Sequence, residues 1–139
     1  MPRFMLFVYS GPQSGGPPLE LVEAMNAYNE ELLRAGALLA ADGLHPPAAA
    51  TRVTFGGGGG DARPAVTDGP FTEAKELVGG YWVIQARTKE EAVEWASRAP
   101  LGEGTIEVRQ IAEPSDHPPE IGEASRLSEV PPEQTRATE

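Results

Sequence analysis

Phe4-Met5-Leu6-Phe7-Val8-Tyr9, closed by Ser10-Gly11-Pro12, is the stretch on which the fold turns. Six apolar or aromatic residues in a row ended by Gly and Pro read as a strand. Only Arg3 precedes them as a positive charge and no small-residue cleavage site follows, so a signal-peptide core is not expected. Along a strand, alternate side chains face opposite ways. Phe4, Leu6 and Val8 then share one face and Met5, Phe7 and Tyr9 the other, and both faces are apolar. The segment Tyr81–Ala86 repeats the pattern, with Trp82 and Ile84 opposed to Tyr81, Val83 and Gln85. A sheet solvated on one side would alternate apolar with polar. Something must therefore cover each face.

Two segments can cover one of them. In residues 19–35, Leu21, Met25, Tyr28 and Leu32 fall at helical spacing, with Glu23, Glu30 and Glu31 left for solvent and Gly36 suited to the terminating turn. Thr88-Lys89-Glu90-Glu91 is a capping-box pattern, and Ala92, Trp95, Ala96 and Ala99 form the buried stripe of a second helix over 89–98. Further strand-like stretches are Ala37–Leu44, Thr51–Phe55, Pro64–Thr67 and Thr105–Ile111. The order is strand, helix, two or three strands, helix, strand. It predicts an α+β fold of the ferredoxin-like βαββαβ type, an antiparallel sheet with both helices on one face and an elaborated middle hairpin. The five-glycine run Gly56–Gly60 has no Lys-Ser/Thr after it and opens no helix, so it reads as a hairpin connection and not a phosphate loop. The face that the helices leave open is expected to be buried by a second copy of the chain. A homodimer is thus predicted.

The chain has 139 residues, 11 Lys and Arg against 21 Asp and Glu, and no Cys. A formal charge of −10 makes nucleic acid and anionic membrane poor partners, and no apolar run is long enough to span a bilayer. Without Cys there is neither a thiolate nucleophile nor a zinc–thiolate site, and two His leave little for an imidazole cluster, so no metal or cofactor is expected. Half of the net charge lies in residues 113–139, which also hold five Pro and only Ile121, Leu127 and Val130 as large aliphatics. So few apolar groups cannot offset the entropy of ordering the segment. The division expected is a folded domain over 1–112 and a disordered acidic tail over 113–139, available to a protein partner. The expected location is cytoplasmic.

The ligand-binding candidates begin on the last strand. Ile106 and Val108 should meet the helices, which sends Glu107 and Arg109 to the open face, roughly 7 Å apart along the backbone. They read either as an exposed ion pair or as the mouth of a site for a small polar or anionic ligand. Residues 67–82 read Thr-Asp-Gly-Pro-Phe-Thr-Glu-Ala-Lys-Glu-Leu-Val-Gly-Gly-Tyr-Trp. Asp68-Gly69-Pro70 is a sharp turn in which Asp68 can bond its own downstream amides, Phe71 is an apolar plug, and Thr72 can cap one helical turn over Glu73–Glu76. The Gly79-Gly80 pair permits a bulge or a close approach as the next strand starts.

This stretch resembles the DGPF signature of the YCII-related family. The likeness runs through the strand ending at Tyr9, Ala35-Gly36 to Gly43-Leu44, Ala92 to Trp95-Ala96, and Ile106-Glu107-Val108-Arg109. It covers about residues 3–112. The family's Ala-Glu-Thr after Phe is here Thr72-Glu73-Ala74, and Gln110 stands where Pro is usual. The resemblance implies a dimeric α+β barrel and a place among small-molecule enzymes and binding proteins. Family members carry an acid/base His early in the first helix. This chain has none there, and His45 falls in a Leu-His-Pro-Pro loop instead. Two functions are therefore expected as alternatives. In the first, a cleft near the signature loop takes a small ligand, with Asp68 and Glu73 as acid or base, Lys75 and Arg109 for an anion, and Tyr9 and Tyr81 as walls. In the second, the protein is a non-enzymatic regulator, linked to transcription initiation through protein contact.

Overall fold

The computed structural model describes residues 1–9, 16–56, 63–71 and 77–124. Its elements follow the predicted order: β1 Arg3–Tyr9, α1 Leu19–Arg34, β2 Leu38–Gly43, β3 Thr51–Thr54, β4 Ala65–Asp68, β5 Val78–Gln85, α2 Lys89–Ser97 and β6 Thr105–Gln110. Four of the strands form one antiparallel sheet in the order β2-β5-β1-β6. β5 is inserted between β1 and β2, the split βαβ arrangement expected of a ferredoxin-like chain. β3 and β4 pair with each other as a separate two-stranded ribbon.

Burial follows the alternation read from the sequence. Phe4, Leu6, Val8, Trp82 and Ile84 are buried under the helices, with Tyr28 and Leu32 of α1 and Ala92 of α2 packed on them. Ile106 and Val108 pack against the edge of this core. Met5, Phe7, Tyr9, Tyr81 and Val83 are half-buried on the other face. Gly36, at φ 70°, ends α1 as expected. Thr88 caps α2, accepting from the Glu91 amide at 3.1 Å, while the Glu91 carboxylate reaches back to the Arg87 amide at 3.2 Å. The reciprocal half of the box thus lands one residue earlier than the usual pattern.

β5 starts three residues before the Tyr81 that marked it in the sequence, because both glycines lie within the strand. Gly79 is the extra residue where the β1–β5 register shifts, and Gly80 pairs with both Val8 and Gly43. A Cβ on Gly80 would stand 3.0 Å from the Asp42 carbonyl oxygen, so a side chain there would press on the backbone of the neighbouring strand.

The Asp68-Gly69-Pro70 turn has partners that the sequence reading did not name. Asp68 accepts from the Thr51 hydroxyl across the ribbon at 2.7 Å, and the Gly69 amide donates to the Ala50 carbonyl at 2.7 Å. A Cβ on Gly69 would run into the Pro47 carbonyl oxygen. Among the described residues the turn is thus anchored by Thr51 at the start of β3 and by Ala50 before it. Phe71 is half-buried beneath the Arg52 guanidinium, 3.8 Å from its ring centroid. The capped turn expected over Thr72–Glu76, and most of the five-glycine run, lie outside the described residues.

Within the segment read as a tail, a 3-10 turn spans Pro114–Asp116 and α3 spans Pro119–Ala124. Glu113 accepts from Arg3 Nε at 2.7 Å, tying its start to the first strand. Residues 125–139, with the contact role expected of them, lie outside the described residues. No helix among the described residues is long and apolar enough to cross a membrane.

Candidate functional site

The apolar stripe of α1 is continuous in sequence but unevenly buried, with Met25 packed against the core from its edge. Tyr28 and Leu32 are buried, whereas Leu21 and Met25 stay half-open. Beneath them the sheet carries small residues, Ala41 and Gly43 from β2 and Gly80 from β5. A cavity of about 370 Å³ results, walled by Leu21, Met25 and Asn29 of α1, floored by Val8, Ala41, Gly43, Gly80 and Trp82, and bounded by Leu101-Gly102-Glu103. Its volume suits a small molecule.

Two hydrogen-bonded pairs organise the polar groups here. Trp82 Nε1 donates to Asn29 Oδ1 at 2.7 Å. An indole nitrogen can only donate, so this bond fixes which end of the Asn29 amide meets the tryptophan. The amide nitrogen is left as a donor without a protein partner among the described residues. Tyr28 supports the pair from behind. Its ring stands edge-on to Trp82 at 5.3 Å, and its hydroxyl donates to the Trp95 carbonyl at 2.6 Å.

The second pair is Tyr81 and Asp42, register partners across β5 and β2. The Tyr81 hydroxyl donates to Asp42 Oδ2 at 2.8 Å, and this bond to a carboxylate pushes the phenol above its ordinary value. Alternation sets both side chains on the open face, away from Trp82 and the helices, while their strand positions adjoin the cavity. Among the described residues of the sequence-derived set, Tyr81 is the one that lines this cavity.

The other candidates fall elsewhere. Glu107 and Arg109 are exposed on the open face opposite Phe7 and Met5, and neither has an ion-pair partner among the described residues. Tyr9 lies on that face too, opposite Thr105. Asp68 sits on the ribbon, bonded to Thr51. Glu73 and Lys75 lie outside the described residues. His45 is exposed in the loop after β2. Among the described residues no group of three or more His, Asp or Glu could hold a metal ion.

Sequence reasoning did not single out Asn29, Asp42, Gly43 or Glu103 as site residues. The one available signal was compositional, a helix stripe longer than the large residues of the facing strands can fill. A second groove, between α2 and β6, is lined by Lys89, Ser97 and otherwise apolar or small residues, without a convergent set of polar groups.

The sequence model of the YCII-related domain matches residues 2–115. No curated protein matches the chain. The domain match begins in the residue before β1 and takes in Glu113, the partner of Arg3.

Proposed function

The chain belongs to the YCII-related domain family, and from that premise we propose that it is a homodimeric small-ligand-binding protein whose ligand lies between α1 and the sheet. Within the family, Asp68-Gly69-Pro70-Phe71 argues for the DGPF group. The observation that carries the functional reading is the cavity under the half-buried N-terminal end of the α1 stripe. Leu21 and Met25 are held near the Trp82 side chain over strand positions occupied by Ala41, Gly43 and Gly80. Apolar side chains kept apart by glycine form a cavity and not a core, and the free end of the Asn29 amide supplies orientation.

The dimer accounts for the other side of the sheet. Met5, Phe7, Tyr9 and Val83 make an apolar face that the chain's own helices do not cover. A second copy packed face to face would bury it and close the barrel, with Glu107 and Arg109 along the seam. A solution mass of two chains at micromolar concentration is expected from light scattering. A mass of one chain overturns the dimer.

The cavity is tested by titrating the full chain with a small-fragment library while following the indole N–H of Trp82 by NMR. Binders that move this resonance together with the amides of Gly43 and Gly80 are expected. Binders that move only Met5, Phe7 or Arg109 would place the site on the open face and sink the reading.

A further inference from the structure

We propose that Asn29 reads the ligand of this cavity through its amide nitrogen, selecting an apolar molecule that carries a carbonyl oxygen. The inference rests on the cavity being the binding site and adds the polar group by which that site tells one apolar molecule from another. Leu21, Met25 and Asn29 follow one another at intervals of four residues, so they lie along one side of α1, and all three wall the cavity. Asn29 is the polar member of that row. Trp82, which it bonds, belongs to the core and to the cavity floor at once.

The direction of the amide follows from its partner. The indole Nε1 can only donate, so the 2.7 Å bond assigns Oδ1 to Trp82. The amide nitrogen then carries two N–H donors with no protein partner among the described residues. It is not sealed inside the protein, because among the described residues no fully buried side-chain nitrogen or oxygen lacks a partner. Asn29 is half-buried and lines the cavity, so the cavity is where a ligand meets this nitrogen.

The other polar side chains of the lining do not compete for the role. Asp42 and Tyr81 face the open side of the sheet, away from Trp82. Glu103 is exposed in the loop before β6. Val8, Leu21, Met25 and Trp82 present apolar surface. A ligand seated among them loses water from its polar atoms, and that loss is offset only where a partner stands ready. A carbonyl oxygen accepts from the Asn29 nitrogen and brings no donor of its own. A hydroxyl brings a proton too, for which the spare lone pair of Oδ1 is the side-chain acceptor at hand.

Three neutral probes of matched shape test the assignment: acetophenone, 1-phenylethanol and ethylbenzene, titrated into the full chain at pH 8 and read on the Trp82 indole and the Gly43 amide. Acetophenone is expected to bind about tenfold more tightly than ethylbenzene, or better. Asn29→Asp keeps an oxygen for Trp82 and replaces the nitrogen donors by a second acceptor. In that variant the advantage of acetophenone should vanish, while 1-phenylethanol, which can donate, keeps its affinity within about threefold. An unmoved Trp82 indole resonance in the free variant shows that the bond to Oδ1 survives, so the effect belongs to the nitrogen. If ethylbenzene binds the wild type as tightly as acetophenone, Asn29 does not read the ligand, and the proposal fails with the cavity still the site. That comparison decides the matter even where the variant does not fold. If acetophenone keeps its advantage in the folded variant, the nitrogen is not its source and the proposal also fails. If none of the probes moves either resonance, the cavity is not the site and the inference falls with it.

Discussion

Replacing Gly43 by Leu is expected to lower the affinity of any cavity ligand at least tenfold while leaving the stability of the protein unchanged. Gly43 closes β2 on the same face as Ala41 and Trp82, opposite Gly80. A Cβ built there meets nothing within 4 Å, and its φ is not among the positive ones, so a side chain is accepted without strain and grows into the empty volume. A glycine in a strand costs about 0.5–1 kcal/mol relative to Ala, which the substitution tends to recover. The neighbouring bond from the Leu44 amide to the Gly79 carbonyl, 2.9 Å, involves no atom that changes. Gly80 supplies the contrast. Its Cβ would crowd the Asp42 carbonyl at 3.0 Å, so Gly80→Ala disturbs the β2–β5 contact itself. The check is the same NMR titration on wild type and G43L, beside a urea unfolding curve for each. Unchanged affinity in a folded G43L protein would remove the cavity from consideration.

The second large effect is on alkaline stability. Burial pushes the Tyr28 phenol up to about 12, with Arg98 opposing and Glu31 reinforcing the shift. In the unfolded chain the same group titrates near 10. Between these values the folded state holds a proton that the unfolded state has lost, so stability falls as pH rises through that window. Two units correspond to about 2–3 kcal/mol, fully present below pH 10 and gone above 12. Other groups titrate in the same range, so the comparison that isolates Tyr28 is with Tyr28→Phe. That variant loses the bond to the Trp95 carbonyl, about 1 kcal/mol at neutral pH. The loss stays moderate because the carbonyl still accepts from the Arg98 amide at 3.1 Å. Urea midpoints from pH 8 to 11.5 should converge for the two proteins as pH rises and then cross, the wild type falling below the variant at the top of the range. Parallel curves would show that the phenol is not held protonated by the fold.

Much of the architecture was legible because it depends on neighbours in sequence. Strand alternation at Phe4–Tyr9 and Tyr81–Ala86 predicts which side chains the helices bury, and those are the ones buried. Helical spacing in α1 and the Thr88 cap of α2 are local properties too. The DGP turn marks the limit of such reading. Its residues predict a turn, but Asp68 bonds Thr51 and Gly69 bonds Ala50, partners that only the ribbon brings near.

By itself, the sequence determined the order of elements, the two apolar faces of the sheet and the stripe on α1. These follow from periods of two and 3.6 residues, which any stretch of chain carries within itself. Tertiary structure decided how far the stripe is filled. Asn29 and Trp82 are 53 residues apart, Asp42 and Tyr81 39, and Arg3 and Glu113 110. Whether Leu21 and Met25 finish in a core or over a cavity depends on the size of what another strand sets opposite them. Gly43 and Gly80 are small, and that is why the cavity exists.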